Sequence, residues 1–387
     1  MRKSRIRLSS ALLLQGLFLI CILCAPLQIL GQEQEKSVVE EEEKEKQAEE
    51  KKEPKRSSWI ALPIVFYTPE TKWAIGAGAF YYYRPKNVSL DNRPSSVGAT
   101  ASYTQNKQWE FGIVPDFFFK NEEYRVIGFV NVRKWVDKFY GVGNDNRNEN
   151  EENYTTRTFN YYARFQKQLR SDFHVAVQHE YQYNNIIETE DGGGLGTGLI
   201  PGSEANSISG LSLILNWDSR DNLFAPYRGI WCEASASVFR KWLGSDYTFE
   251  RYNLNFRAYI PTFRRHVLAL QSFNNFIVGE APFQIMSFLG GMNFMRGYYM
   301  GRFRDNNAIV LQGEYRMPVW WRFGAVAFAS AGDVAHKIGQ FRLSDFKVTY
   351  GVGIRFAIDP NENINFRLDL AWADDSSGFY FTVTESF

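Results

Sequence analysis

The sequence has few cysteines, almost no net charge and, beyond its N-terminus, no long apolar run. In 387 residues, 22% of them charged, no stretch after residue 31 approaches the roughly 18 to 20 consecutive apolar residues of a transmembrane helix, so helical membrane spans are excluded there. Lys and Arg number 44 against 43 Asp and Glu, which leaves +1. Because nucleic-acid binding rests mainly on positive charge, we expect no nucleic-acid partner.

Clustered catalytic or metal-binding residues are also missing. The four histidines, at positions 174, 179, 266 and 336, show no metal-ligand spacing. No Gly-x-Ser-x-Gly nucleophile motif occurs either. The sequence therefore predicts that the protein is not an enzyme and has no metal site and no cofactor.

The N-terminal 31 residues have the layout of a secretory signal peptide. Basic residues precede an apolar segment, and polar sequence follows Gly31, where we expect cleavage. Cys21 and Cys24 lie inside this segment, which leaves only Cys232 in the mature chain. An intramolecular disulfide is therefore excluded even in an oxidising compartment.

Residues 32–56 form a second, strongly charged segment. Ten Glu and seven Lys or Arg occupy its 25 positions, and it has no aromatic residue. Such a segment buries too little apolar surface to offset the entropy lost on ordering. We interpret it as a disordered periplasmic tether, with a docking site for a basic partner as the alternative.

From residue 57 to the end, apolar residues recur at every second position. In the segment 252–260 the even positions are Tyr, Leu, Phe, Ala and Ile, whereas the odd positions are Asn, Asn, Arg and Tyr. Alternation over about ten residues fits either a soluble sandwich or a membrane barrel with an apolar outer face and a wet lumen. Sandwich strands usually have about five or six residues, and bilayer-crossing strands about nine to eleven. Aromatic residues at segment ends, such as Trp109 and Phe117, also fit an interfacial girdle, so we predict the membrane barrel.

The segments predict an all-β fold, a transmembrane antiparallel β-barrel of 16 strands and outer-membrane type, over residues 57–387. An even number returns both chain ends to the periplasm, and the long connectors at 136–154, 189–204 and 279–303 then all face outward. The predicted strands are 57–67, 71–84, 95–105, 107–119, 122–135, 155–169, 172–188, 205–218, 227–240, 246–261, 264–278, 304–316, 321–333, 345–357, 362–374 and 377–387.

Two motifs carry a resemblance to a known family. The connector before the twelfth predicted strand contains Arg296-Gly297-Tyr298, and that strand contains Glu314. The turn between the eighth and ninth predicted strands contains Asp218, Arg220, Asp221, Asn222, Pro226 and Gly229. With the terminal Phe387, these motifs resemble the C-terminal barrel of the BamA/TamA outer-membrane assembly superfamily, also called the bacterial surface antigen family.

The resemblance implies that the connector folds back into the lumen and is locked there. In that family the arginine of the motif pairs with acidic residues on the inner wall, so Arg296, followed by Gly297 and Tyr298, is expected to pair with Glu314. Contact of one guanidinium with carboxylates in a confined lumen would pin the loop. The second acidic position departs from the family pattern, because Ser330 stands there, and we expect a weaker or a shifted lock. The alternative for Arg296 is a solvated loop charge.

Closure requires the first and last predicted strands to pair, and we call this junction the seam. Pro63 lies within the first predicted strand, and proline has no N–H to donate to a ladder. Phe387 ends the last predicted strand. One interpretation, which the resemblance also implies, is a weak seam that can part sideways. The other is that Pro63 only marks the start of the strand.

The resemblance also implies a function, namely assistance in the insertion or translocation of proteins or lipids at the outer membrane. The partners would be the outer-membrane bilayer and periplasmic or outer-membrane assembly proteins. The best-known members carry periplasmic POTRA modules, and 25 residues cannot hold one, so we expect a member without them. One alternative is a surface antigen or adhesin that uses its outer loops. Another is a passive pore whose wet channel is lined by Arg164, Arg257, Arg367 and Asp369.

Overall fold

The computed structural model describes residues 56–89, 92–146, 148–359 and 363–387. The predicted signal peptide at 1–31 and the predicted tether at 32–56, except its last residue, lie outside these residues. The strands are β1 (Ser57–Thr68), β2 (Lys72–Tyr83), β3 (Ser95–Thr104), β4 (Trp109–Phe119), β5 (Tyr124–Phe139), β6 (Glu152–Arg170), β7 (Phe173–Thr189), β8 (Asn206–Asp218), β9 (Gly229–Phe239), β10 (Phe249–Pro261), β11 (Val267–Gly279), β12 (Ser287–Leu289), β13 (Phe303–Asp305), β14 (Asn307–Trp320), β15 (Phe323–Ala335), β16 (Lys347–Asp359), β17 (Ile364–Trp372) and β18 (Ser377–Val383). Short 3-10 helices lie at Asn148–Asn150, Leu195–Thr197, Lys241–Leu243, Phe263–Arg265, Ile338–Gln340 and Leu343–Asp345. No helix among the described residues is long and apolar enough to span a membrane.

Sixteen of these strands close into one antiparallel barrel. Strands that follow one another in the sequence pair, except that β11 pairs with β14. The two short strands between them, β12 and β13, form a separate two-stranded sheet inside the connector. The predicted fold class and strand number are confirmed, and each predicted strand end lies within four residues of an observed one.

The two faces of the wall are inverted relative to a soluble protein. Along β10, Phe256 is 39% exposed while its neighbour Asn255 is 8% exposed. The same contrast holds along β14, where Leu311 faces outward and Gln312 is buried. Apolar rows that face outward, with polar rows that face the lumen, are the arrangement of a barrel in lipid.

The last strand ends earlier than predicted, at Val383 instead of Phe387. Thr384 has a left-handed backbone conformation (φ 69°), and its N–H donates to Asn365 O at 2.9 Å, which turns the chain out of the ladder. The final residues then enter the lumen, where the Phe387 ring packs against Tyr259 on β10. Phe387 therefore lies away from the seam, contrary to the prediction.

The seam between β1 and β18 is paired at a single position in the described residues, Tyr67 with Phe381. In contrast, β17 and β18 are paired along the whole of β18. The register of the seam would place Pro63 opposite Glu385, which lies beyond the end of β18. Pro63 pairs with Ala77 of β2 well inside β1, so it does not mark the start of the strand. The early end of β18 therefore leaves most of β1 as an open strand edge.

Candidate functional site

The long connector between β11 and β14, residues 280–306, folds back into the barrel, and we call it the lumenal loop. Met295 and Tyr298 of this loop are buried against Val310, which faces the lumen from β14. Gly290 follows β12 at φ 103°, and a Cβ at this position would lie 2.0 Å from Tyr299 O. Because only glycine tolerates this approach in a left-handed conformation, Gly290 sets the path of the loop toward its tip.

Arg296 lies at the tip of the lumenal loop and is 1% exposed. Its Nη2 donates to Glu314 Oε2 on β14 at 2.7 Å, and its Nη1 donates to Asp369 Oδ2 on β17. The guanidinium also lies over the Phe328 ring of β15, 3.5 Å from the centroid. One side chain therefore links the loop to three strands of the wall, β14, β15 and β17.

Arg296 belongs to a larger group of buried charges, which we call the charge cluster. Its members lie on β14, β16 and β17, on the lumenal loop and in the residues after β18. Arg355 donates to Asp369 Oδ1 and to Glu385 Oε2, both at 2.6 Å. Buried charges of this kind are stable only when each has partners, so the members depend on one another. The cluster consists of Arg296, Arg316, Arg355, Arg367, Glu314, Asp369 and Glu385.

The structure places the predicted lock residues in different roles. Glu314 contacts Arg296, whereas Ser330 donates to Gln312 Oε1 at 3.2 Å. The same Gln312 oxygen accepts the Met295 N–H at 3.3 Å, so Ser330 acts on the loop through a glutamine. The second carboxylate that contacts Arg296 is therefore not at position 330 but at Asp369 on β17.

The second carboxylate of the lock is Asp369, which the sequence analysis assigned only to the lining of a channel. The alternation along β17 did place Asp369 on the polar face, together with Arg367. The signal that could have identified it is the missing acid at position 330, because a second carboxylate must come from another strand. Alternation alone cannot say which inward carboxylate reaches Arg296.

The two residues after Arg296 fix the loop in different ways, since Gly297 contacts β17, β18 and the turn between them, whereas Tyr298 packs within the loop. The Gly297 N–H donates to Tyr380 Oη at 3.0 Å, and Ser376 Oγ donates to Gly297 O at 2.9 Å. Gly297 has φ 116°, and a Cβ there would lie 3.1 Å from the backbone of Trp372. Tyr298 is buried edge-on against Phe303 of β13. The Arg-Gly-Tyr motif therefore anchors the loop by charge, by close backbone approach and by packing.

Glu70 connects the lumenal loop to the first hairpin, a contact that the sequence pattern did not predict. It lies in the turn between β1 and β2, is buried, and accepts the Met300 N–H at 2.9 Å. Burial raises the pKa of its carboxyl group above the ordinary value, although the Met300 N–H acts in the opposite direction. The loop thus contacts both the wall that carries the charge cluster and the hairpin that borders the seam.

The second motif forms the turn between β8 and β9, and several of its side chains hydrogen-bond within the turn. Arg220 donates to both carboxylate oxygens of Asp218 at 2.8 Å. Asp221 Oδ1 accepts two backbone N–H groups, and Asn222 Oδ1 accepts those of Phe224 and Ala225 at 2.8 and 2.9 Å. Side-chain acceptors of this kind stabilise tight turns.

Two other motif residues complete this turn, and its tip reaches the seam. Gly229 has φ 115°, and a Cβ there would lie 2.4 Å from Ser219 O. Pro226 is buried. Phe224, at the tip, packs in one apolar cluster with Ile64 of β1 and Val383 of β18. The structure therefore does not bring this motif to Arg296 but places it behind the seam strands.

The Omp85 superfamily domain matches residues 92–387. The fold is similar to that of BamA from Haemophilus ducreyi lacking POTRA domains 1–3, with a TM-score of 0.60 and 14% identity over 86% of this chain and 71% of that one. Two CdiB structures are also similar. For CdiB from Escherichia coli the TM-score is 0.55 at 10% identity, over 86% of this chain and 63% of that one. For CdiB from Acinetobacter baumannii the values are 0.54 and 8%, over 85% and 60%.

These structural matches establish a shared barrel fold, since their sequence identities are low. The chain spans less than two thirds of the length of either CdiB. No curated protein matches the sequence.

Proposed function

The chain belongs to the Omp85 superfamily, and from this we propose that it inserts or translocates proteins or lipids at the outer membrane, through the seam between β1 and β18. The observation that carries the proposal is the seam itself, which is paired only at Tyr67 and Phe381 in the described residues. The other junctions of the barrel are paired along most of their length. The seam is therefore the place where the wall opens with the smallest loss of backbone hydrogen bonds.

An open strand edge inside a membrane favours the addition of another strand. Backbone N–H and C=O groups without partners are costly in hydrocarbon, so an incoming strand that pairs with them is stabilised. The described residues of β1 before Phe66 have no pairing with β18, and they offer such groups on the side away from β2. Pro63 has no N–H, so a strand added there cannot complete its ladder and is released more easily.

The charge cluster supports a wall that stays intact while the seam opens. Arg296 holds β14 and β17 together through Glu314 and Asp369. The residues after β18 are tied to the same group, because Glu385 accepts from Arg355. Movement of β18 at the seam would therefore be transmitted to the cluster and to the lumenal loop.

A reversible crosslink across the seam tests the proposal. Tyr67→Cys with Phe381→Cys would join β1 to β18, after Cys232→Ser has removed the native thiol. Cells that depend on the locked protein should lose other outer-membrane barrels or surface lipids, and reduction of the disulfide should restore them. The matched control is Leu370→Cys with Phe379→Cys, which joins β17 to β18 at a junction that is already closed.

Unchanged function with the seam locked rules out passage through the seam. A loss of function with both crosslinks shows that a disulfide in the wall is harmful in itself. The proposal requires a loss with the seam crosslink alone, reversed by reduction.

A passive pore is the second candidate, and one cavity favours it. A space of about 380 Å³ remains between the lumenal loop and the opposite wall. The ion pair of Arg164 with Glu233, at 2.9 Å, lines it, and so does Arg251, which pairs with Glu180 at 2.6 Å. Steady ion conductance after reconstitution, together with an unchanged outer-membrane proteome after deletion, would favour the pore. Loss of other barrels or surface lipids after deletion would favour the seam.

A further inference from the structure

A second cavity, of about 580 Å³, opens at the end of the lumen that the predicted orientation places in the periplasm, and we call it the mouth cavity. Four turns border it, those between β8 and β9, between β10 and β11, between β14 and β15 and, through Asn363, between β16 and β17. Its inner wall includes Arg316 and Arg355 of the charge cluster. The proposed passage of cargo through the seam makes no use of this space.

The mouth cavity has an excess of positive charge. Arg265, Arg316, Arg322 and Arg355 line it, and Glu385 is the one carboxylate of the described residues that does so. Glu385 is already engaged, since it accepts from Arg355 Nε at 2.6 Å. Arg265 and Arg322 form no ion pair within the described part of the chain. The cavity is therefore complementary to an anion.

One of the buried arginines has unused hydrogen-bonding capacity. Arg316 is 8% exposed, its Nε donates to Glu314 Oε1 at 2.8 Å, and its Nη2 donates to Phe387 O at 2.7 Å. Its Nη1 is buried and has no hydrogen-bond partner among the residues described. A buried donor without an acceptor destabilises a protein, and an anionic oxygen in the cavity would remove that penalty.

The turns around the mouth cavity are apolar where they meet the membrane. Trp320 and Trp321 are each 71% exposed, and Phe263 on the neighbouring turn is 67% exposed. Tryptophan concentrates at the boundary between membrane and water, where its ring meets lipid headgroups. A soluble anion needs no such rim, so the combination favours a ligand that carries both a phosphate and acyl chains.

We propose that the mouth cavity binds the phosphate of a phospholipid headgroup from the adjoining membrane leaflet. Guanidinium groups can donate two parallel hydrogen bonds to phosphate oxygens, which suits the arginines on its walls. Arg265 and Arg322 attract the headgroup at the rim, and Arg316 offers its Nη1 at the base. This inference goes beyond the proposed function, because it requires neither a cargo nor an open seam.

Calorimetric titration of the full chain, purified in an uncharged detergent, tests the site with three probes. These are a short-chain phosphatidylglycerol, the diacylglycerol of the same chain length, and inorganic phosphate. The phosphatidylglycerol should bind at least about tenfold more tightly than either other probe, because only it meets both the arginines and the rim. Equal binding of diacylglycerol would show that the rim alone acts. Equal binding of inorganic phosphate would show a site for free anions.

Variants identify the cavity as the place of binding. Arg265→Gln with Arg322→Gln should weaken phosphatidylglycerol binding about tenfold, and Arg265→Lys with Arg322→Lys should weaken it less, because the charge remains. Arg170→Gln is the matched control, since Arg170 is exposed at the same end of the barrel but lies outside the cavity. The proposal would be overturned if Arg170→Gln weakened phosphatidylglycerol binding as much as the double Gln variant does. It would also be overturned if the double Gln variant bound phosphatidylglycerol as tightly as the natural chain. If the double variant does not fold, the comparison of the three probes on the natural chain decides.

Discussion

Arg296→Ala should release the lumenal loop and lower the free energy of unfolding. Removing one partner of a buried ion pair usually costs about 3–5 kcal/mol, because a charge is left without a counter-charge. Here Glu314 keeps Arg316 at 2.8 Å, and Asp369 keeps Arg355 at 2.6 Å. Neither carboxylate is left alone, so the expected loss lies at the lower end, about 3 kcal/mol.

Asp369→Asn should be the more harmful change. The side chains of the charge cluster comprise four guanidinium groups and three carboxylates, so removal of one carboxylate raises their net charge from +1 to +2. Among the described residues, Arg367 would keep only Met292 O as an acceptor, at 3.4 Å. We expect a loss of about 5 kcal/mol. The double variant with Arg296→Ala restores +1, so its loss should be smaller than the sum of the single losses by at least about 1 kcal/mol.

The assay is urea-induced unfolding in detergent micelles, followed by tryptophan fluorescence. Arg251→Ala is the matched control, because Arg251 on β10 also pairs with a carboxylate three strands away, Glu180 on β7 at 2.6 Å, but its side chain is 22% exposed. Such a pair contributes roughly 1 kcal/mol or less. Equal losses of unfolding free energy from Arg296→Ala and Arg251→Ala would show that the burial of Arg296 adds no stability beyond that of a partly exposed ion pair.

Two further outcomes are expected. Gly290→Ala should speed cleavage of the lumenal loop in limited proteolysis, because its Cβ would lie 2.0 Å from Tyr299 O. Gly244→Ala is the control for backbone strain, because Gly244 also has a left-handed conformation, at φ 92°, but lies in open space. Equal cleavage of the two variants would contradict the predicted clash. Burial raises the pKa of Glu70, so its ionised form destabilises the fold as the pH rises above the ordinary value for glutamate. The free energy of unfolding of the natural chain relative to Glu70→Gln should therefore be greater at about pH 4 than at about pH 8, and a difference that does not change with pH speaks against it.

The wall of the barrel was predictable because its pattern is local. Alternation along a segment such as 252–260 identifies a strand, its two faces and its approximate length from neighbouring residues alone. The same alternation placed Glu314 on the inner face. The Arg-Gly-Tyr motif then indicated a partner for it through the family resemblance.

The second half of the candidate site was not predictable in this way. Asp369 lies three strands from Glu314 around the wall, and only the curvature of the closed barrel brings both carboxylates to Arg296. Glu70 likewise meets Met300 only because the loop crosses the lumen. Such contacts depend on the positions of whole strands, which a local sequence pattern does not predict.

By itself, the sequence determined that this chain forms sixteen strands, each with an apolar and a polar face, because side-chain direction alternates along any extended segment. Only the tertiary structure decided that the junction between β1 and β18 is the one with little strand pairing, and that the lumenal loop packs inside the barrel. The left-handed turn at Thr384 ends the last strand and directs Phe387 into the lumen. There the Phe387 carbonyl accepts a hydrogen bond from Arg316, and its ring packs in an apolar cluster with Tyr259.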